Sequence, residues 1–449
     1  MDLHSQMLDR EKVFRDPVHN YVYVRYQVIM DLINTTEFQR LRRIHQLGTT
    51  LFTFHGAEHS RFSHSLGVYE IARRICDRFA RNFATQTEGD GLWDPKEELV
   101  ALCAALLHDI GHGAYSHTFE HIFHTNHEQI TQEIITSPQT EVNAVLRQVS
   151  PEFPEQVASV IAKTYPNKQV VAMISSQLDA DRMDYLLRDA YFTGVKYGTF
   201  DLNRILEVMQ PITDGIGFEM SGMHAVEDYI VSRFQMYQQV YFHPVSRSME
   251  VVLNRLLLRA SEVFKQPATT DPQTPYLLLP FFNQHFELND YLQLDDGVLN
   301  TYFIHWKNHG DDDLSDLATR FIDRKPLKSV KYSKETEDLL PHLRSLVEQA
   351  GFNPNYYTAT DDSFDLPYDA YRPNDKEIKL INRDHTLTEL SEVSSIVSAI
   401  ADKSTGDHRF FFPREILQKS NNIDLFQPEY DEFNRYIRND QLIHPKEIH

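Results

Sequence analysis

LVALCAALLHDIGHGAYSH, residues 99–117, reads as an apolar helix that ends in chemistry. Leu99 to Leu107 are apolar throughout, and His108 and Asp109 follow side by side, then Gly111, His112 and Gly113. An ordinary buried helix ends in a cap, with no such pair facing its neighbours. Adjacent side chains on a helix diverge by about 100°, so both can reach one ion only at the helix surface. His64 upstream and Asp181 downstream, arriving on neighbouring helices, complete two imidazoles and two carboxylates. That borderline-hard set suits a catalytic divalent metal with positions left open. Such a site polarises a phosphoryl oxygen and makes hydroxide available near neutral pH. Ten of the 22 histidines fall between His45 and His127, too dense and too ordered a cluster for chance.

Outward from this stretch the pattern is mainly helical. Residues 14–25 alternate around Tyr21 and Tyr23 and predict a short strand pair. One helix is expected from about Gln27 to Leu47, with Ile29, Leu32, Ile33, Leu41 and Ile44 on its apolar face, and another over 64–83. The helix leading to His108 starts with Asp94 as N-cap, Pro95 in the first turn and Glu97 at the reciprocal capping position. Further helices are expected over 116–136, 139–149, 153–163 and 168–191, with a hairpin over 214–220. A helical stretch over 225–265 is interrupted at Pro244. The Pro/Thr-rich segment QPATTDPQTP, 266–275, marks the best internal boundary. Helices over 276–323 then give way to a mixed region with a strand at 329–334. The expected architecture is mainly α, a helical core with short β-hairpins and a smaller α+β C-terminal region. Its divisions are 1–50, 51–265 and 276–449.

Composition narrows the function classes. At 41% apolar and 24% charged, the 449 residues describe a soluble globular protein. The 99–107 run is far too short to span a bilayer, and the N-terminus MDLHSQMLDREKVF lacks the apolar core of a secretory signal. Cys76 and Cys103 sit in apolar helical patterns, so reduced thiols and a cytoplasmic setting are expected. A net charge of −21 argues against broad nucleic-acid binding. A polyanionic ligand must then be met by local arginines and a metal.

His112, His117, Glu120 and His127 are candidate proton donors close to the His–Asp pair. His117 and Glu120 lie at i, i+3, so the carboxylate can orient the imidazole. His121 and His124 read as exposed helix residues, and Asp179 as a helix N-cap. Asp181, Tyr185 and Asp189 recur at i, i+4 and i+8 along one helix face.

Five motifs stand in order: FQRLRRIHQLG (38–48), GAEHSRFSHSLGVYE (56–70), LLHDIGHGAYSHTFEH (106–121), NHEQ (126–129) and DADRMDYLLRDAYFTG (179–194). With them the chain resembles the HD-domain superfamily, and within it the deoxynucleoside triphosphate triphosphohydrolases (dNTPases). It is most similar to the tetrameric, nucleotide-activated enzymes of Gram-positive bacteria, and resembles the human dNTPase that carries a SAM domain. The likeness runs from KVFRDPVHNY (12–21) to FFFPREIL (410–417).

This resemblance implies an HD-domain core with His64, His108, Asp109 and Asp181 as metal ligands, the ion open among Mg, Mn, Fe, Zn and Ni. It implies hydrolysis at the α-phosphorus, releasing a deoxynucleoside and tripolyphosphate. His117 would be the general acid, supported by Glu120 and His127, with His112 on the α-phosphate. Glu120 departs from the Asp that many relatives carry. Arg61, Arg182 and Arg233 match phosphate contacts. Gln46 and Asp189 match contacts to the 3′-hydroxyl, and Leu47 the base or sugar wall. Tyr185 and Tyr241 match the aromatic side that excludes a 2′-hydroxyl, which selects the sugar and leaves the base weakly read.

Relatives of this kind bind an activating nucleotide between subunits of a homotetramer. Lys12, Val13, Gln39 and Arg42 match a guanine-type activator site, where Asn34 replaces an Asp of the human relative. Asp201 and Arg204 match a second nucleotide site, and Arg324 and Lys328 match basic residues that reach phosphates. Two other readings compete. One is a phosphodiesterase or nucleotidase using the same metal. The other is a nucleotide-sensing oligomer whose metal is structural.

Overall fold

A computed structural model of the protein describes residues 7–87, 89–265, 272–365, 368, 377–401, 405–417 and 427–444. The side chains of residues 117, 362–365, 405 and 427–429 lie outside the described set, as does most of the boundary segment at 266–275.

The first described element is the antiparallel hairpin β1 (Met7–Asp16) and β2 (Asn20–Tyr26), with Phe14 opposite Val22. Asp16 closes the turn by accepting the Val18 and His19 amides at 2.9 Å. The helix expected over 27–47 is broken into α1 (Gln27–Asn34), α2 (Thr36–Arg40) and a 3-10 turn over Leu41–Arg43. Thr35 makes the break: its hydroxyl donates to the Leu32 carbonyl (2.7 Å) and accepts the Phe38 amide (3.3 Å), capping α2. Next come α3 (Arg61–Asn82) and α4 (Glu98–Leu107), the latter entered through a 3-10 turn over Pro95–Glu97. Asp94 accepts the Lys96 amide as expected of a cap. Glu97 instead accepts the Tyr165 hydroxyl (2.7 Å), so the reciprocal half of the cap is replaced by a long-range contact.

The stretch 116–136 divides into α5 (His117–Phe123) and α6 (His127–Thr136). His124 there takes a left-handed φ of 53°, and Asn126 caps α6 through the Gln129 amide at 2.9 Å. Then follow α7 (Glu141–Leu146), α8 (Phe153–Ile161), α9 (Lys168–Ile174) and α10 (Ala180–Thr193). The last two, read as one helix, are separated by Asp179, which accepts the Ser176 and Arg182 amides at 2.7 Å as the anticipated N-cap. Beyond lie α11 (Leu202–Val208), the hairpin β3 (Met209–Ile212) and β4 (Gly215–Glu219), and α12 (Met223–Met236). A single π-helical turn over Tyr237–Tyr241 leads to α13 (Pro244–Val263).

Four helices follow: α14 (Leu279–Phe282), α15 (Leu288–Leu292), α16 (Asp296–Trp306) and α17 (Asp312–Ile322). The mixed region holds β5 (Lys328–Lys331), α18 (Leu340–Gln349), α19 (Pro354–Tyr357), β6 (Ala359–Asp365), β7 (Lys379–Ile381) and β8 (Leu387–Glu389). It continues through α20 (Leu390–Val393), α21 (Ser395–Ile400), β9 (Thr405–Phe412), α22 (Gln427–Arg435), β10 (Ile437–Arg438) and β11 (Gln441–Leu442). Its strands β5, β6, β9, β10 and β11 form a sheet in the order β10-β11-β5-β9-β6, while β7 and β8 extend the earlier β3–β4 hairpin into the sheet β3-β4-β7-β8.

Between Leu99 and Leu107 no residue of α4 is more than 3% exposed. A helix apolar on every side belongs in the centre, and α3, α8 and α9 pack around it while α10 runs along α3. The core built on it reaches from Val22 to Phe411, and a smaller core gathers Val330, Leu343, Phe410, Phe412 and Phe433. The central helix thus carries His108 and Asp109 at its end into the space between α3 and α10. No described helix is long and apolar enough to cross a membrane.

Candidate functional site

His108 caps the C-terminal end of α4, and its Nδ1 donates to the Ala105 carbonyl (2.9 Å), turning Nε2 outward. His64, on the first turn of α3, presents its own Nε2 3.3 Å away. Asp181, on the first turn of α10, sets Oδ1 3.1 Å from His64 Nε2 and 3.5 Å from His108 Nε2. Asp109 reaches to 3.4 Å of His108 Nε2 and 3.7 Å of His64 Nε2, while the Arg61 guanidinium pairs with its Oδ2. Ligand atoms about 2.0–2.2 Å from one ion are separated by roughly 3–3.6 Å, so His64, His108 and Asp181 fit a divalent cation, while Asp109 meets the two imidazoles with different oxygens. Burial works against charge on the imidazoles, yet Asp181 and Asp184 lift His64 to about 10, and Asp109 raises His108. In return, against the same burial, His108 and His64 hold Asp181 below the usual carboxylate range. A cation competes for the lone pairs that these protons occupy.

A second group adjoins the first. His112 stacks on His127, ring centroids 4.0 Å apart and planes 13° off parallel. Glu120 Oε1 accepts from His127 Nδ1 (2.8 Å) and from the His127 amide (3.1 Å), and lies 3.6 Å from His112 Nδ1. Stacked rings hold their in-plane lone pairs in two parallel planes about 4.0 Å apart, which do not meet at one point. The trio therefore suits proton relay better than a second ion. Burial and the Arg61 charge hold His112 well below the ordinary imidazole value. Just before α5, Tyr115 and Ser116 take φ of 53° and 51°, sparsely populated for side chains of their kind. The Tyr115 amide donates to Asp296 Oδ1 (2.8 Å) and Ser116 Oγ accepts from Arg61 Nε (2.9 Å), holding that turn against the site. The His117 side chain lies outside the described set.

The two groups open on a cavity of about 420 Å³, ample for a small ligand. Arg61, Asp109, His112 and Asp181 share its lining with Gln46, Leu47, Tyr185, Asp189 and Tyr241. The Tyr241 hydroxyl donates to Asp189 Oδ2 (2.7 Å), and His59 Nε2 meets Asp189 Oδ1 (2.7 Å). Tyr241 stands edge-on to Tyr185, centroids 6.2 Å apart, at the end of the π turn. Such turns are frequent at functional sites.

Residues 61–189 match the model of the HD domain, and 200–273 that of the HD associated region. The uncharacterized protein YwfO of Bacillus subtilis is 52% identical over 415 residues, 91% of this chain and 94% of that protein. The chain belongs to the HD-domain family. The HD chain is also 30% identical over 269 residues to the deoxynucleoside triphosphate triphosphohydrolase SAMHD1 homolog of Dictyostelium discoideum, covering 57% of this chain and 50% of that one. The crystal structure of a phosphohydrolase from Bacteroides thetaiotaomicron matches with a TM-score of 0.77 and 27% identity, over 90% of this chain and all of that one.

Not every expected residue meets at the HD centre. Arg182 pairs through Nη1 with Asp179 Oδ2 (2.5 Å) and the Ser176 carbonyl (2.5 Å), and Arg233 is buried over the Tyr237 ring (5.4 Å). Neither lines the cavity. His121 and His124 are exposed, as expected, although His124 lies just beyond α5 and not within a helix. The residues matched to nucleotide activation lie away from it. Val13 is 50% exposed on β1 beside Lys12, and Asn34 is exposed at the end of α1. Arg42 lies over Phe62 (3.5 Å) and donates to Gln39 (2.8 Å). Asp201 caps α11 through the Arg204 amide (2.9 Å), and Arg204 donates to the Ser221 carbonyl (3.1 Å). Arg324 holds the Phe52 carbonyl (2.6 Å), and Lys328 is exposed at the start of β5.

Four residues of the HD centre escaped the sequence reading. Glu250 lines the cavity, and His59 fixes Asp189. Arg40, fully buried, donates to the carbonyls of His112 (2.9 Å) and Leu294 (3.0 Å) and so anchors the turn that carries His112. Asp184 accepts from His64 Nδ1 (2.7 Å). The spacing Asp184–Arg188, an i, i+4 ion pair, and the helix-interior Gly67 were the available signals.

Proposed function

We propose that the protein hydrolyses deoxynucleoside triphosphates at the α-phosphorus, releasing the deoxynucleoside and intact tripolyphosphate. One observation carries this reading. The His/Asp cluster and the His112–Glu120–His127 group open on the same cavity as Gln46, Tyr185, Asp189 and Tyr241, so phosphate-directed and sugar-directed groups share one chamber. A divalent cation held by His64, His108, Asp109 and Asp181 would supply Lewis-acid charge to a phosphoryl oxygen and hydroxide near neutral pH. Arg61, already against Asp109, is placed to meet phosphate charge at the same point. Glu120 holds His127 and faces His112, a relay able to deliver a proton to the departing 5′-oxygen with His117 as the donor. Asp189, aimed by His59 and Tyr241, is an acceptor for a 3′-hydroxyl. Tyr185 and Tyr241 narrow the space beside it, which favours a sugar without a 2′-hydroxyl.

Activation by a dGTP- or GTP-type nucleotide in a homotetramer belongs to the same reading. Lys12, Val13, Gln39 and Arg42 lie on the first hairpin and on α2 with the turn that follows it, away from the chamber, where a second chain can reach them. The test uses purified full-length protein with Mn²⁺ or Mg²⁺ and dNTPs supplied singly and in pairs, products resolved by ion chromatography. Tripolyphosphate is expected, with a lag or near-silence on a single dNTP that dGTP or GTP relieves. Pyrophosphate, orthophosphate or no product would defeat the reading, and equal rates in every mixture would defeat the activation.

A further inference from the structure

We propose that Asp184 is a positioning residue for the metal centre, and that it ties the ligand His64 to the turn of the β1–β2 hairpin. A neutral imidazole has one N–H and one lone pair, and the acceptor on one nitrogen decides which of the two faces an ion. His108 is set by the Ala105 carbonyl of its own helix. His64 is set from elsewhere. Its Nδ1 meets Asp184 Oδ2 on α10, which leaves Nε2 directed at Asp181 and His108.

Asp184 is itself held by four donors. His64 Nδ1 (2.7 Å) and Arg188 Nε (2.8 Å) share Oδ2, while His19 Nε2 (2.6 Å) and Arg188 Nη2 (2.9 Å) share Oδ1. A carboxylate has about four lone-pair sites, and all are used. The far side of Arg188 donates to Asp16 at 2.8 and 3.2 Å, and Asp16 is the residue that closes the hairpin turn. The side chains of Asp184, Arg188 and His64 have no exposed surface. Their closeness depends on Gly67, one turn beyond His64 on α3. A Cβ there would lie 2.6 Å from Asp184 Cγ and closer still to its Oδ1 and to Arg188 Nη2.

A buried ionic network is a poor source of stability, since apolar residues of similar volume do as well or better. Here it has a task that apolar side chains cannot perform, the choice of nitrogen on His64. It also gives the hairpin a stake in the metal centre. His19 touches none of the four metal-ligand residues at hydrogen-bond distance, yet it holds one oxygen of the carboxylate that aims His64. Use of this tie in regulation rests on the activator reading of Lys12 and Val13, four and three residues before Asp16. The tie itself does not.

The experiment is metal binding by the full-length chain without nucleotide. Protein stripped with chelator is titrated with Mn²⁺, free ion is counted by EPR, and directly bound imidazole nitrogens are counted by pulsed EPR. Asp184→Asn is expected to raise the Mn²⁺ Kd roughly 10- to 100-fold and to reduce the bound imidazoles from two to one, with an unaltered circular dichroism spectrum. His19→Phe, which leaves three of the four bonds to Asp184, is expected to raise Kd several-fold and keeps the test open if Asp184→Asn does not fold. Two bound imidazoles and an unchanged Kd in folded Asp184→Asn would overturn the positioning role. An unchanged Kd in His19→Phe would overturn the link to the hairpin. No nucleotide is present, so either failure is distinct from a failure to hydrolyse dNTPs.

Discussion

Gly67→Ala reverses a familiar sign. In an open helix interior, alanine in place of glycine stabilises by about 1 kcal/mol. At position 67 the new methyl would stand where the Asp184 carboxylate and the Arg188 guanidinium now lie. Overpacking of that kind costs about 1–3 kcal/mol. Displacing Asp184 from its partners adds the loss of a buried pair, about 3–5 kcal/mol. The helix gain offsets little of this, and a net destabilisation of roughly 3–7 kcal/mol remains. With unfolding entropy near 2.1 cal/mol/K per residue, a chain of 449 residues loses roughly 1 °C of Tm per kcal/mol, so a fall of about 3–7 °C is expected. Differential scanning calorimetry reads it, with Gly310→Ala as the control. A Cβ at Gly310 meets nothing within 4 Å, and that variant should match or slightly exceed the unaltered chain. A Gly67→Ala protein with raised Tm and unchanged Mn²⁺ affinity would refute the close packing of α3 on Asp184 and the argument built on it.

Asp181→Ala removes the carboxylate that both imidazoles face, and turnover should fall below detection; full activity in a stopped assay would show the ligand assignment to be wrong. Tyr241→Phe removes the hydroxyl that steadies Asp189, a bond to a charged group worth about 1.5–3 kcal/mol. The ratio of dNTP to NTP turnover should drop about tenfold or more, and an unchanged ratio would place Tyr241 outside sugar selection. His45 is raised above its ordinary value by its hydrogen bond to Asp296, against burial, with Glu58 adding to the pull. Its folded value exceeds its unfolded one, so its contribution is full below pH about 6.5 and is lost as pH rises through the folded value. The Tm deficit of His45→Gln should therefore be larger at pH 6 than at pH 9, and the opposite order would contradict the assignment.

What could be read from the sequence was what is local. The 99–117 stretch announces itself because a continuous apolar run, a His–Asp pair and two glycines lie within nineteen residues. Asp179 was legible as a cap because capping depends on the next three residues alone. The helix breaks at Thr35 and Asn126 were missed because periodicity runs through them, while one side-chain hydrogen bond at each decides the local backbone. Glu97 failed as a reciprocal cap for the converse reason, since Tyr165, distant in sequence, offers it a better partner. Arg40, His59 and Asp184 were invisible because their partners are dozens of residues away: His112, Asp189, and the pair His64 and His19. A lone Asp between Asp181 and Arg188 looks like a solvated helix face until α3 is laid against it. The activator residues pose a further difficulty. Their meaning depends on a second chain, and a single sequence carries no sign of which surface another copy covers.

The central claim is attack at the α-phosphorus, and oxygen labelling tests it most directly. A single turnover of a dNTP with Mn²⁺ in ¹⁸O-water, products separated and weighed by mass spectrometry, reports which bond breaks. One ¹⁸O in tripolyphosphate and none in the deoxynucleoside is the predicted result. Label in the deoxynucleoside, or label in pyrophosphate or orthophosphate as the released product, would contradict it.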